Sequence, residues 1–337
     1  MQQTYFVSGV AGFLGSHLAD ALISQGHRVI GVDSLIGGYH DNVNSQVEFH
    51  QFDLLNLEAL MFVLKGVDVI YHCAALPHEG FSVFSPHQVV LNGSGVTTAL
   101  LSAAVANGVK RFVFCSSTAR YGFQPVMPFT EDMKPNPQDP YGVDKLASEM
   151  QVRCVSKAHN MEYVIVVPHN IIGPRQKYDD PYRNVASIMI NRMLRGQQPI
   201  IYGDGEQTRS FSPVQDIVPL LLKAGYFPKA VGEVINVGPD DETVTVNELS
   251  RRIARLLNFG PLEPIYYNDR PQEVKKTACS ADKSRRLLGY HPTVSLDESL
   301  RELIKYIRGR GPRPFHYHLK LEIDNDRTPK TWKDRLI

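Results

Sequence analysis

The chain has 337 residues and a mass of 37.8 kDa, enough for two domains or for one large α/β unit with an appended lobe. Its composition is ordinary for a globular protein, 43% hydrophobic and 21% charged. A net charge of +1 disfavours a nucleic-acid partner or an anionic membrane surface, because no overall field would steer either to the chain.

The N-terminus lacks a basic region, and Gly9 interrupts its first apolar stretch, so no signal peptide is readable. With no uninterrupted apolar run of about 18 residues, no transmembrane helix is expected. Strands are predicted over 5–8, 28–33, 47–50, 67–71, 111–115 and 163–167, where β-branched and aromatic residues run together. Helices are predicted between them over 13–24, 56–64, 86–106 and 141–157, with Asn56 as a cap and Asn107-Gly108 as a stop. Near-continuous apolar strands alternating with helices imply an α/β, doubly wound parallel sheet of the Rossmann type, covered on both faces. Beyond Pro168 turn signals crowd in. A strand over 234–237 and helices near 191 and over 213–224, 247–257 and 296–308 suggest a smaller α/β lobe. The stretch from Gly309 is rich in Pro, Lys and Arg and reads as irregular.

The cysteines, Cys73, Cys115, Cys154 and Cys279, form no C-x-x-C pair. They read as small buried hydrophobes in a reducing cytoplasm. His316 and His318 in the tail find no ligand partners at matching spacing and read as solvated, so no metal site is expected. Asp179-Asp180 likewise reads as a solvated loop pair.

Gly9, Gly12 and Gly15 follow the first strand and open the first helix. Glycines there permit a tight turn and close approach of backbone to a pyrophosphate, which the helix N-terminus attracts. Asp33 ends the next strand, where a carboxylate accepts from both ribose hydroxyls and repels a 2′-phosphate; NAD is favoured over NADP. Asp53-Leu54 closes the third strand, where it can meet the adenine, although Asp53 alone fits a helix cap equally well. Tyr141 and Lys145 lie one helical turn apart on one face. A neighbouring ammonium stabilises phenolate and brings a poor base nearer its working range. Ser117, just past the fifth strand, can share a hydrogen bond with a substrate hydroxyl.

These motifs, with His72-Cys73-Ala74-Ala75, Ser116-Ser117-Thr118-Ala119-Arg120-Tyr121-Gly122 and Pro168-His169-Asn170-x-x-Gly173-Pro174, stand in an order that resembles the extended short-chain dehydrogenase/reductases. Within these the chain is most similar to the NAD-dependent nucleotide-sugar epimerases and dehydratases. The resemblance runs from about residue 4 to 308. It implies an NAD-binding domain over 1–170, a sugar-nucleotide lobe over 171–308 that can return segments to the first domain, and an extension over 309–337. It implies a catalytic group of Ser117, Tyr141 and Lys145. The cofactor would meet Gly9, Gly12, Phe13, Leu14, Gly15, Asp33, Asp53, Leu54, Ala74, Ala75, Asn92 and Pro168, besides Tyr141 and Lys145. A UDP-sugar would meet Ser117, Tyr141, Asn170, Arg209, Arg270, Glu273 and Thr277. The two arginines suit charge-assisted bonding to a diphosphate.

The resemblance also narrows the reaction. Dehydratases and decarboxylases of the family carry acids where this chain has Thr118 and Ala119, which points to 4-epimerisation. UDP-glucuronate 4-epimerisation and dehydration or reduction remain alternatives, and a non-catalytic NAD sensor is disfavoured by the intact Tyr141 and Lys145. A small Thr277 would leave room for an acetamide. Arg120 and Ser210 depart from the family pattern, and His78-Glu79 falls near cofactor or sugar contacts. Helices over 93–107 and 144–158 resemble the pair through which relatives form homodimers.

Overall fold

The protein is described by a computed structural model covering residues 2–337. Seven strands form one parallel sheet: β1 (Thr4–Ser8), β2 (Arg28–Asp33), β3 (Glu48–Gln51), β4 (Val69–His72), β5 (Arg111–Cys115), β6 (Glu162–Pro168) and β7 (Val234–Val237). Their spatial order is β7-β6-β5-β4-β1-β2-β3. Winding reverses between β1 and β4, and this opens a crevice at the carboxyl ends of those two strands. Side chains alternate along each strand, so neighbours serve opposite faces. Val7 joins Leu18, Leu22, Tyr71 and Leu221 under one layer of helices, whereas Phe6 joins Ile30, Leu60, Leu100 and Phe112 under the other. Strand β7 leaves the second lobe and pairs with β6.

A third cluster, built on Ile172, Met189, Ile190, Ile253, Leu300 and Leu303, is the core of the second lobe. A fourth gathers Phe81, Phe84, Tyr141, Tyr182 and Trp332 where the lobes meet. The extension after Arg310 is irregular except for one short helix, Lys330–Lys333.

The predicted helix over 86–106 is interrupted. Helices Pro86–Val90 and Val96–Ala106 flank a π-turn at Leu91–Gly95. The cause is local. A Cβ on Gly93 would fall 1.7 Å from Asp144 Oδ2, and the Ser94 N–H donates to Asp144 Oδ1 at 2.8 Å. The ladder widens to admit that carboxylate, and Asn92 sits on the widened turn. By length and a mean hydropathy of 1.6, Pro86–Ala106 is apolar enough to cross a membrane. Here Val96, Leu100, Leu101, Ala103 and Ala104 are spent in the core beneath the sheet.

Three expectations are corrected. Cys154 is exposed, unlike Cys115 and Cys279. Asp180 is fully buried beside His78, at 3.1 Å, and Asp179 accepts from the Tyr39 hydroxyl at 2.7 Å. His318 turns toward Asp180, at 3.8 Å, and is not a solvated tail residue. Apolar packing of the 76–84 loop against the second lobe draws these charges inside, where they survive only by pairing.

Candidate active site

The crevice encloses about 410 Å³ between the strand ends and the second lobe. Its lining includes every predicted site residue except Thr277. Gly9 has φ +72°, and a Cβ there would stand 3.0 Å from the Ala74 N atom. A Cβ on Gly15 would fall 2.2 Å from the Gly9 carbonyl oxygen. The strand-to-helix turn therefore closes only around glycine, which is the cradle a pyrophosphate requires. Gly12 caps helix Phe13–Ser24 without a side-chain bond, so the first N–H groups of the helix stay available to an anion.

A hydrogen-bond chain holds this turn to its neighbours. The Ser8 hydroxyl accepts from Cys73 N–H at 3.0 Å and Ala74 N–H at 3.1 Å, and donates to His72 Nδ1 at 2.7 Å. His72 Nε2 then donates to Thr97 Oγ1 at 3.0 Å, which donates to the Gly93 carbonyl at 2.9 Å. Burial pushes the His72 pKa down to about 3, so the ring is neutral and can bridge two hydroxyls in this sense. Asp33 accepts from Ala11 N–H at 3.0 Å and Leu35 N–H at 2.7 Å, and burial raises its carboxyl pKa. Spare lone pairs remain for ribose hydroxyls. Asp53 accepts from Leu55 N–H at 2.9 Å, while Asn56 caps the helix by accepting from Ala59 N–H at 3.1 Å.

At the crevice floor, helix Pro140–His159 brings Tyr141 and Lys145 to Ser117. Asp139 starts that helix by accepting from Gly142 N–H at 2.9 Å; burial, helped by Glu79, pushes the pKa of this carboxyl to about 7. Lys145 Nζ donates to the Cys115 carbonyl at 2.9 Å and stands 5.8 Å from the centre of the Tyr141 ring. Burial lowers the Lys145 pKa. Burial, with Glu79, Asp139 and Asp144, pushes the Tyr141 pKa up, while the neighbouring Ser117 hydroxyl acts to lower it. Tyr141 thus shares one end of the crevice with a serine hydroxyl and the side chain of Lys145.

A family model for NAD-dependent epimerases and dehydratases matches residues 5–238. The chain belongs to that family. It is 32% identical to the UDP-glucose 4-epimerase of Mycolicibacterium smegmatis over 90% of this chain and 98% of that one. The structure of UDP-glucose 4-epimerase from Thermotoga maritima with UDP-glucose superposes with a TM-score of 0.86 at 32% identity, over 91% and 99% of the two chains. That of UDP-glucuronic acid 4-epimerase from Bacillus cereus with UDP-glucuronic acid and NAD gives 0.85 at 31%, over 92% and 100%. The glycine cradle and Asp33 fit the cofactor after which the family is named.

In this epimerase/dehydratase-family chain the second lobe supplies the far wall. Arg270 meets the Glu273 carboxylate at 2.9 and 3.2 Å, and Arg209 lies 3.8 Å from it. Arg209 also donates to the Val274 carbonyl at 2.7 Å. The Asn170 amide donates to the Ser210 carbonyl at 3.0 Å, and Ser210 itself is buried.

Arg120 does not enter the crevice. It turns into the core, 2.9 Å from Glu149, with its guanidinium 4.9 Å from the centre of the Tyr121 ring. Glu149 in turn accepts from the Ser116 hydroxyl at 2.5 Å. His78 lines the crevice but is engaged with Asp180, whose carboxyl pKa is held near 2 by His78, Arg183 and His318 against the effect of burial. Sequence reasoning left out Tyr182, Arg183 and Tyr202, which line the crevice together with His78 and Glu79, the pair it set near cofactor or sugar contacts. Glu79 was visible beside His78, but its aim depends on the fold of the 76–84 loop.

Proposed function

We propose that this chain is an NAD-dependent 4-epimerase of a UDP-sugar, either the UDP-N-acetylglucosamine/UDP-N-acetylgalactosamine pair or the UDP-glucose/UDP-galactose pair. The observation that carries the reading is the convergence of Ser117, Tyr141 and Lys145 on one end of a crevice whose other wall carries Arg209 and Arg270. NAD, held by the glycine cradle and Asp33, would supply the hydride acceptor and donor. Ser117 and Tyr141 hold the C4′ hydroxyl, and Tyr141 takes its proton as the alcohol becomes a ketone. The charge of Lys145 favours that phenolate. Arg209 and Arg270 hold the diphosphate, so the 4-keto sugar can turn without leaving. Tyr141 would then return the proton to the C4′ oxygen, restoring the hydroxyl. Net redox is zero.

A homodimer through helices Pro140–His159 and Val96–Ala106 belongs to this reading, and unbridged cysteines fit a cytoplasmic setting. A second reading, dehydration or decarboxylation, draws on Glu79, an acid in the crevice within electrostatic reach of Tyr141. Proton NMR of the purified protein with UDP-N-acetylglucosamine, UDP-glucose and UDP-glucuronate in turn separates these readings. A C4′ epimer at unchanged mass supports epimerisation. A product lighter by water or carbon dioxide supports the second reading, and no product from any of them sinks both.

A further inference from the structure

The extension beyond Gly311 is fastened to both lobes. On the first, the Glu322 carboxylate accepts from the His87 and Gln88 N–H groups, each at 3.0 Å. It thereby caps helix Pro86–Val90, whose own Ser85 makes no side-chain cap. On the second, the Asn191 side chain grips the Arg313 backbone at 2.8 and 3.0 Å, and Arg192 donates to the Leu336 carbonyl at 3.3 Å.

The end of the extension then reaches the substrate wall. Thr331 is wholly buried, and its hydroxyl bonds the Tyr202 hydroxyl at 2.5 Å. The Arg270 guanidinium lies 5.0 Å from the centre of the Tyr202 ring. Trp332 is 3% exposed and packs at Gly80, where a Cβ would stand 3.4 Å from both the indole and Arg270 Nη1. Arg270 is thus confined by the Glu273 carboxylate, by a ring that Thr331 fixes, and by Gly80 backed by Trp332.

From this we infer that Thr331 and Trp332 are positioning residues for Arg270, and through it for the diphosphate of the substrate. The inference rests on the reading of Arg270 given above. An arginine side chain loses considerable rotamer entropy when it grips a ligand. Fixing it beforehand lowers that cost and tightens binding without touching the reacting carbon. The extension lies beyond the motifs that carry the family resemblance, so this support is an addition to the common site.

Trp332 is the only tryptophan in the chain, so its emission reports events at Arg270. UDP titrated into the NAD-loaded protein is expected to change that emission saturably. Thr331→Ala raises the UDP Kd and the sugar-nucleotide KM about tenfold, the loss for one buried hydrogen bond supporting a charged group. Its kcat moves by no more than about twofold, its NAD content stays at the wild-type level, and Thr331→Ser restores KM. Tyr202→Phe, which keeps the ring, produces the same change, and the double variant is no worse than either single one. The inference is overturned if UDP binds without altering Trp332 emission, or if both single variants bind UDP as the wild type does. Should UDP bind with the emission change while no UDP-sugar is turned over, the functional reading falls and the positioning role stands. Absence of any UDP binding to the wild type overturns both.

Discussion

Lys145 donates to the backbone carbonyl of Cys115 at 2.9 Å, and that bond ties the start of helix Pro140–His159 to the end of β5, two residues before Ser117. Tyr141 and Ser117 are therefore held by a shared anchor. Tyr141→Phe removes the proton acceptor and leaves the ring. Its kcat is expected to fall by about three orders of magnitude, the range for a lost general base. Bound NAD, measured by absorbance after denaturation, should remain at the wild-type level. Turnover within tenfold of the wild type would remove Tyr141 from the chemistry.

Glu79 bears on the same phenol from the other side. Burial is the main reason the Tyr141 pKa is raised, and the Glu79 carboxylate adds to it. If the phenolate is the working base, kcat/KM rises with pH through that ionisation. Glu79→Gln removes one negative charge, lowers the Tyr141 pKa, and shifts the rising limb toward lower pH by about half a unit to one unit. The same change should raise kcat/KM for UDP-glucuronate relative to UDP-glucose, because a carboxylate in the crevice repels a carboxylated sugar. A pH–rate profile with both sugars checks this, and an unmoved limb would separate Glu79 from the phenol.

Glycine spacing, Asp33, Tyr141, Lys145 and the six leading strands were legible because each answers to a local rule: a turn only glycine permits, a helical period, an apolar run. The interruption at Leu91–Gly95 was not, because its cause is Asp144, distant in sequence. The burial of Asp179 and Asp180 was hidden for the same reason, since His78 and Tyr39 are supplied by other parts of the chain. The extension gave the least warning. Its hold on Phe84, Asn191 and Tyr202 consists of side chains filling niches made by two lobes, and no period in the tail encodes them.

The pairing of Arg120 with Glu149 explains a residue that the motif alone left odd. Both are nearly inaccessible, at 3% and 1% side-chain exposure, so each pays desolvation and each needs the other. Glu149→Leu leaves a buried guanidinium unpaired and should cost about 3–5 kcal/mol. Arg120→Met combined with Glu149→Leu should recover most of that, because no charge is then stranded. Thermal melts of the three proteins test it. A double variant as unstable as the single one would show that the pair's worth lies in its mutual attraction.

Helix Pro140–His159 presents Val143, Met150 and Cys154 on its outer side, at spacings of seven and four residues that keep them on one face. Val143 and Met150 are 53% and 59% exposed, an apolar stripe that a lone chain would leave in water. Val90 and Leu91, at the start of the π-turn, are exposed as well. In a homodimer closed on this face the stripe is covered, and Cys154 goes with it. Met150→Glu puts a charge at its middle, and in a two-fold assembly that charge is met by related residues of the same stripe. Light scattering after size exclusion is expected to show twice the chain mass for the wild type and the single-chain mass for the variant. Labelling of Cys154 by a water-soluble maleimide should be slow in the first and fast in the second. Equal masses and equal labelling rates would mean that this face is open in solution and that the stripe serves something other than self-association.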